Sequence, residues 1–248
     1  MPDIVATTPL GDGVFQLTID AAEERNRISD RLCTDLVAAL DELGHETSLK
    51  VLVMAGTPEV FVAGATLEML RRLARGEADA RDLILPQRLL GFRAPIVAAL
   101  EGHAVGGGLT IALCCDVIVA AAERRYGVNF ATLGFTPGMG TTSLLQTLVG
   151  HHFASEMLLT ARFYKGRELA GRGLFNHVLP SADVLPAAID IARRIADNPA
   201  HVVELIKATL SGPRRRALVD AVAHEHLMHR VCFANPESLA RLEERYMR

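Results

Sequence analysis

At 248 residues, with 50% hydrophobic and 22% charged side chains, the chain has the make-up of one large globular domain or one domain with a small appendage, which excludes intrinsic disorder as its main state. Its formal net charge is -3, from 26 basic and 29 acidic side chains, and this argues against a general nucleic-acid binder. The opening MPDIVATTPLGDG lacks the basic and apolar regions of a signal peptide, and the longest apolar runs, such as Leu109 to Val119 with Asp116 inside, fall far short of a span of roughly 20 residues. A cytoplasmic protein without membrane contact is therefore expected.

Val14 to Ile19 alternates apolar and polar residues, the pattern of a half-buried strand. Asp30 to Leu43 repeats apolar residues at 33, 36, 37, 40 and 43, which predicts an amphipathic helix with Ser29 or Asp30 as its N-cap. Val51 to Ala55 is a short apolar run stopped by Gly56 and reads as a buried strand; Leu67 to Arg75 reads as helix. Pro95 to Leu100 is a third strand, Gly106-Gly107-Gly108 opens an apolar helix, and Cys115 to Ala121 is a fourth strand. The alternation argues for an α/β fold with buried strands. From about residue 140 the patterns are helical, at 140–149, 154–160, 184–197, 199–210 and 215–233. The 76–94 stretch reads as a mobile loop. Cys33, Cys114, Cys115 and Cys232 form no CxxC pair, and the adjacent Cys114 and Cys115 sit in an apolar run as small core residues.

Two glycine-bearing turns follow buried strands and precede helices: Phe61-Val-Ala-Gly-Ala65 and Gly102-His-Ala-Val-Gly-Gly-Gly108. Glycine lets backbone approach a ligand, and a helix N-terminus offers unpaired N–H donors. Two such turns facing one point make an oxyanion hole; simple strand-to-helix packing explains them equally well. The second turn lacks G-x-G-x-x-G, and the chain contains no phosphate-binding P-loop.

The segments FVAGATLEM, GHAVGGGLTIALCCDVIVAA and YGVNFATLGFTPGMGTT resemble the enoyl-CoA hydratase/isomerase (crotonase) superfamily over nearly the whole chain, roughly residues 5 to 245. The resemblance implies a crotonase-type ββα spiral core over 1–190, carrying the oxyanion turns, and a helical C-terminal region over 191–248 that covers the active site and the trimer interface. It implies a homotrimer or a hexamer. It also implies a thioester substrate on coenzyme A or an acyl carrier protein, with no tightly bound cofactor or metal. By motif position the two oxyanion amides belong to Ala65 and Gly107, flanked by Gly64 and Gly106.

A hydratase of this superfamily carries two glutamates as acid and base. Here Thr110 and Phe130 stand at those positions, and neither serves as a base near neutral pH, so ordinary water addition is not expected. Both are read as lining the substrate. The stretch Asn129 to Gly140 and the segment Glu225-His-Leu-Met-His229-Arg-Val-Cys-Phe233 look like the decarboxylating enoyl-CoA-hydratase-like enzymes of polyketide β-branching cassettes. That narrower resemblance implies loss of carbon dioxide from a 3-methylglutaconyl-type thioester, with His229 as proton donor to the dienolate.

Members of that group tend to carry a lysine, in some with a tyrosine, after the first turn; here Met69 and Leu73 occupy those positions, and Arg71, Arg72 or Arg75 is the expected partner for a substrate carboxylate. Glu225 lies i, i+4 from His229 and is expected to orient the imidazole and raise its pKa. His224 and His226 diverge by about 200° on a helix, which speaks against a metal site. His103 reads as structural or pocket-lining. Arg88, Arg93 and the triplet Arg214-Arg-Arg216 read either as a solvated face or as docking for an acidic carrier protein or a pantetheine phosphate, and Lys207 as a further phosphate contact. Three functional classes remain: the decarboxylase, an enoyl thioester isomerase with His229 as proton shuttle, and a non-catalytic member that kept the fold.

Overall fold

The protein is described here by a computed structural model covering residues 4–21, 24–79 and 84–246. The first strands, β1 (Val5–Gly11) and β2 (Val14–Ile19), form an antiparallel hairpin, and α1 (Asp30–His45) follows with Ser29 accepting from the Leu32 amide as its N-cap. Leu32, Leu36, Leu40 and Leu43 form its buried face.

Three ββα units then follow in succession. They are β3 (Val51–Ala55), β4 (Val60–Val62) and α2 (Leu67–Ala74); β5 (Ile96–Leu100), β6 (His103–Val105) and α4 (Gly107–Leu113), preceded by α3 (Leu85–Gly91); and β7 (Val117–Ala121), β8 (Arg125–Gly127) and α5 (Phe130–Leu133). The first strand of each unit joins the large sheet and the second the small one. The chain continues as α6 (Thr141–Thr160), β9 (Tyr164–Lys165), α7 (Gly166–Leu169), β10 (His177–Leu179), α8 (Ser181–Ala196), α9 (Ala200–Phe233) and α10 (Pro236–Tyr246). The large sheet runs β1-β2-β3-β5-β7-β10, parallel from β2 onward, and the small sheet β4-β6-β8-β9. This winding is the α/β spiral expected of the sequence.

Every residue of β3 and of β5 is buried because both sheet faces are covered. Val51, Val53 and Ala55 face α8, where Ala188, Ala192 and Ala196 let the helix sit close; Leu52 and Met54 face the main core. Residues 190 and 191, where the resemblance implies a boundary, lie inside α8.

The strands and helices expected at 14–19, 30–43, 51–55, 67–75 and 95–100 are present to within two residues, Gly106-Gly107-Gly108 opens α4 as expected, and β7 starts at Val117 rather than Cys115. The break between 149 and 154 falls at Gly150, whose φ of 75° interrupts α6. The break expected between 210 and 215 is absent: α9 runs through Pro213, held by packing against α3 and α6. Within the stretch expected to be a mobile loop, residues 80–83 lie outside the described residues and 85–91 form α3, anchored by buried Leu85, Leu89 and Leu90. Among the described residues no helix is long and apolar enough to cross a membrane.

Candidate active site

The parallel pairing of β4 with β6, Val60 with His103 and Val62 with Ala104, brings the two glycine turns side by side. A Cβ on Gly108 would stand 2.1 Å from the Val62 carbonyl oxygen, so α4 meets β4 at a distance that only glycine permits. In each turn a glycine with positive φ precedes the amide of interest: Gly64 at 83° before Ala65, and Gly106 at 53° with ψ -125° before Gly107. These angles swing the next peptide N–H out of the strand direction, a conformation that a residue with a Cβ adopts only under strain.

The Gly64 carbonyl accepts from the Ile28 amide at 2.7 Å, and the Thr66 amide donates to the Ile28 carbonyl at 2.9 Å. Since N–H and C=O of one trans peptide point in opposite directions, the Ala65 N–H is turned away from Ile28. It has no acceptor among the described residues. Gly107 is the first residue of α4, and its amide has no intrahelical acceptor. Asn26, fully buried, supports the segment that carries Ile28: its side chain accepts from the Ala21 amide at 2.7 Å and donates to the Ile19, Val60 and Phe61 carbonyls at 2.9, 3.1 and 3.1 Å.

Both amide-bearing residues line a cavity of about 210 Å³ whose walls include Leu70, Leu73, Phe130, Phe135 and His229. No Asp or Glu is among the described residues that line it. Phe130 and Phe135 meet edge to face at 5.7 Å between centroids; Phe135 and Phe233 stand 6.1 and 5.8 Å from the His229 ring. The His229 Nε2 lies 2.7 Å from the Thr136 carbonyl oxygen. A carbonyl only accepts, so Nε2 carries the hydrogen and Nδ1 is the atom that titrates. Burial among aromatic rings pushes the His229 pKa below the ordinary histidine value, against the raising effects of the Thr136 carbonyl and of Glu225.

Glu225 does not hydrogen-bond His229, which corrects the expected pairing. Its buried carboxylate accepts from the Gly140 amide at 2.7 Å, the Thr142 amide at 3.0 Å and the Thr142 hydroxyl at 2.7 Å, capping the start of α6. The expected rise in the imidazole pKa is replaced by a net fall because desolvation outweighs the carboxylate's field.

Gly64, Ala65, Gly106, Gly107, Phe130 and His229 are thus brought together around one cavity. Thr110 and Arg72 are not brought to it. Thr110 is fully buried with its hydroxyl 2.7 Å from that of Thr141, which in turn donates to the Gly138 carbonyl at 2.6 Å. Arg72 turns outward to an ion pair with Asp30. Arg75 lies 3.9 Å from Glu77 and lines a second cavity of about 510 Å³, which shares only Leu73 and His229 with the first among the described residues. Arg71, Arg88 and Arg93 pair with Glu243, Asp41 and Glu204.

Lys207 is buried against Asp116 at 2.7 Å and the Ala94 carbonyl at 2.9 Å, which leaves no room for the phosphate contact expected of it. Arg214 donates to the Leu113 and Cys115 carbonyls at the C-terminal end of α4. His103 accepts from the Arg125 amide at 2.8 Å, a structural role. His226 pairs with Asp79 at 2.9 Å while His224 points into solvent, and Cys114 and Cys115 are core residues whose thiol pKa burial pushes up, that of Cys114 to about 12.

Three residues escaped the sequence reading. Arg27, Arg245 and Tyr246 line the first cavity beside Ala65, and neither arginine meets a carboxylate among the described residues. No local pattern marks them; they belong to a pre-helical loop and to the last turn of α10, which no periodicity argument had identified as helix.

Successive ββα units wound into a spiral, with two amides at adjacent strand ends that meet no acceptor among the described residues, define the crotonase class of fold. The chain belongs to the enoyl-CoA hydratase/isomerase family, which it matches over residues 10–246. It is 31% identical to the bacillaene synthase decarboxylase PksI of Bacillus subtilis, over 98% of each chain, and 34% identical to the 2,3-dehydroadipyl-CoA hydratase of Escherichia coli, over 86% of this chain and 84% of that one. Its structure superposes on the ECH2 decarboxylase domain of CurF from Lyngbya majuscula with a TM-score of 0.92, at 32% identity over 98% and 100% of the two chains. It also superposes on a member of a dehydratase/decarboxylase enzyme couple of polyketide β-branching with a TM-score of 0.93, at 31% identity over 97% and 95%.

Proposed function

We propose that the protein is a decarboxylase of a 3-methylglutaconyl-type thioester carried on the pantetheine arm of an acyl carrier protein, acting in polyketide β-branching. The observation that carries this reading is an apolar cavity with two unpaired amides on one wall, a buried imidazole on another, and no carboxylate among the described lining residues. Hydratases of this superfamily add water with two glutamates, and no carboxylate stands among the described residues of the cavity. The similarity to decarboxylases in both sequence and structure supports the same class of reaction.

The thioester carbonyl oxygen accepts from the Ala65 and Gly107 amides, with Gly64 and Gly106 giving the backbone its approach. The bond between the terminal carboxylate carbon and its neighbour breaks and carbon dioxide leaves. The electron pair stays behind as a dienolate whose charge rests on the thioester oxygen. Donors held where that charge develops lower the barrier by about 3–4 kcal/mol each. Phe130, Phe135 and the leucines keep the carboxylate poorly solvated, which favours its loss. His229 then delivers a proton to the carbon that lost carbon dioxide, giving a 3-methylcrotonyl-type thioester. Its depressed pKa makes the imidazolium a readier acid than an exposed histidine. This chemistry calls for no metal or bound cofactor beyond the pantetheine arm.

The carrier's pantetheine enters past Arg27 and Arg245, the basic residues at the cavity. On α9, Val202, Leu205, Ile206 and Leu210 leave an apolar face exposed that a homotrimer or hexamer would cover.

The test is mass spectrometry of a 3-methylglutaconyl carrier protein incubated with the enzyme and with His229→Ala. The proposal expects loss of the mass of carbon dioxide with the wild type and far less with the variant. An unchanged mass with the wild type overturns it, and the decarboxylated thioester is then assayed for double-bond migration, the isomerase alternative.

A further inference from the structure

We propose that Tyr246, in the last turn of α10, is a positioning residue that holds the first oxyanion peptide in its working orientation; this rests on the thioester reading of the Ala65 and Gly107 amides. The Tyr246 hydroxyl donates to the Ala65 carbonyl at 2.7 Å. The ring is held in turn by the Arg27 guanidinium, 5.0 Å above its centroid. α10 is tied to α2 by the Arg71–Glu243 ion pair at 3.1 Å and to α5 by a bond of 3.3 Å from Arg241 to the Thr132 carbonyl.

The geometry explains why one hydroxyl matters. The peptide on the N-terminal side of Ala65 is fixed through the Gly64 carbonyl by Ile28. The peptide on the C-terminal side is fixed at its carbonyl by Tyr246 and at its N–H by Ile28. With both planes pinned, the Ala65 torsions have no freedom, and its N–H keeps one direction. Without the phenol, the second plane keeps only its N–H bond, and rotation about the Ala65 Cα loosens the amide. Burial raises the phenol pKa, so the hydroxyl stays a donor across the neutral range. A hydrogen bond fixed in advance costs no reorganisation when charge appears on the thioester oxygen.

The test uses Tyr246→Phe, which keeps the ring and its stack with Arg27 and removes one oxygen. A conjugated dienoyl pantetheine thioester that cannot decarboxylate serves as the probe, and its ultraviolet absorption reports polarisation of the bound carbonyl. The wild type shifts the band to the red; the variant is expected to lose most of the shift with its melting temperature nearly unchanged. In turnover, kcat falls roughly three- to tenfold with KM little altered. Hydrogen exchange of the peptide spanning the first turn gives a second readout, expected to quicken in the variant. An equal red shift and equal kcat in Tyr246→Phe overturns the inference while the thioester reading stands. No red shift in the wild type overturns both.

Discussion

Glu225→Ala tests the architecture most directly, because a single buried carboxylate ties α9 to the start of α6. The wild-type carboxylate accepts three bonds, from Gly140 N, Thr142 N and Thr142 Oγ1, at 2.7–3.0 Å. Bonds to a charged group contribute about 1.5–3 kcal/mol each, and the loss leaves buried donors without an acceptor. The three share one acceptor and one helix end, so their losses do not add. The expected destabilisation is about 3–5 kcal/mol, or roughly 6–20 °C in melting temperature for a chain of this size. Glu225→Gln retains one acceptor oxygen but turns an amide group toward backbone donors, and should fall between. Thermal unfolding followed by circular dichroism measures both. Gly138 and Met139, just before the capped turn, line the cavity, so turnover is expected to fall with stability. A loss below about 1 kcal/mol for Glu225→Ala would refute the capping argument.

Gly106→Ala places a Cβ at φ 53°, ψ -125° and 3.3 Å from Asn129 Oδ1, and should lower kcat by roughly 10²–10³ through misdirection of the Gly107 amide; kinetics within tenfold of wild type would count against that amide. Arg72→Met, which breaks the outward pair with Asp30, should leave kcat and KM within about twofold, whereas Arg27→Met should raise KM. On the proposed mechanism the His229 imidazolium donates the proton, so turnover should fall as pH rises through a midpoint below the ordinary histidine value of 6.5; a midpoint above that value sinks the assignment. Stability runs the other way. His103 and His229 both have folded pKa values depressed by burial, so the stabilisation is complete above the unfolded value and is lost as pH falls through the lower folded one. His229→Gln should remove its share of the acid loss in unfolding experiments from pH 7 downward, and an unchanged slope would show that His229 does not contribute.

Much of the molecule was legible from local pattern. The leucine spacing of α1, the wholly apolar runs of β3 and β5 and the glycines before α2 and α4 are short-range features, and each maps onto one element. The short strands of the small sheet were not legible. β4, β6 and β8 have three residues each, too few to display a period, and they exist because the preceding buried strand delivers them edge to edge. The site followed the same division. Gly64, Ala65, Gly106, Gly107, Phe130 and His229 carried motif signals, and they converge. The charged and hydroxyl groups did not follow their sequence neighbours.

By itself, then, the sequence determined the α/β alternation and the two glycine-bearing turns, because torsion preferences and apolar periodicity act within a few residues; the spiral winding was implied by the family resemblance. Only the tertiary structure decided the partners of the long polar side chains. Glu225 caps a helix 85 positions away rather than the histidine one turn along, Lys207 reaches Asp116 across 91 positions, and Tyr246 meets Ala65 across 181. Arg72 turns to Asp30, leaving the cavity to Arg27 and Arg245. A buried charge or hydroxyl takes whichever complementary group packing places within about 3 Å, and which group that is depends on how the helices cross rather than on their spacing in the chain.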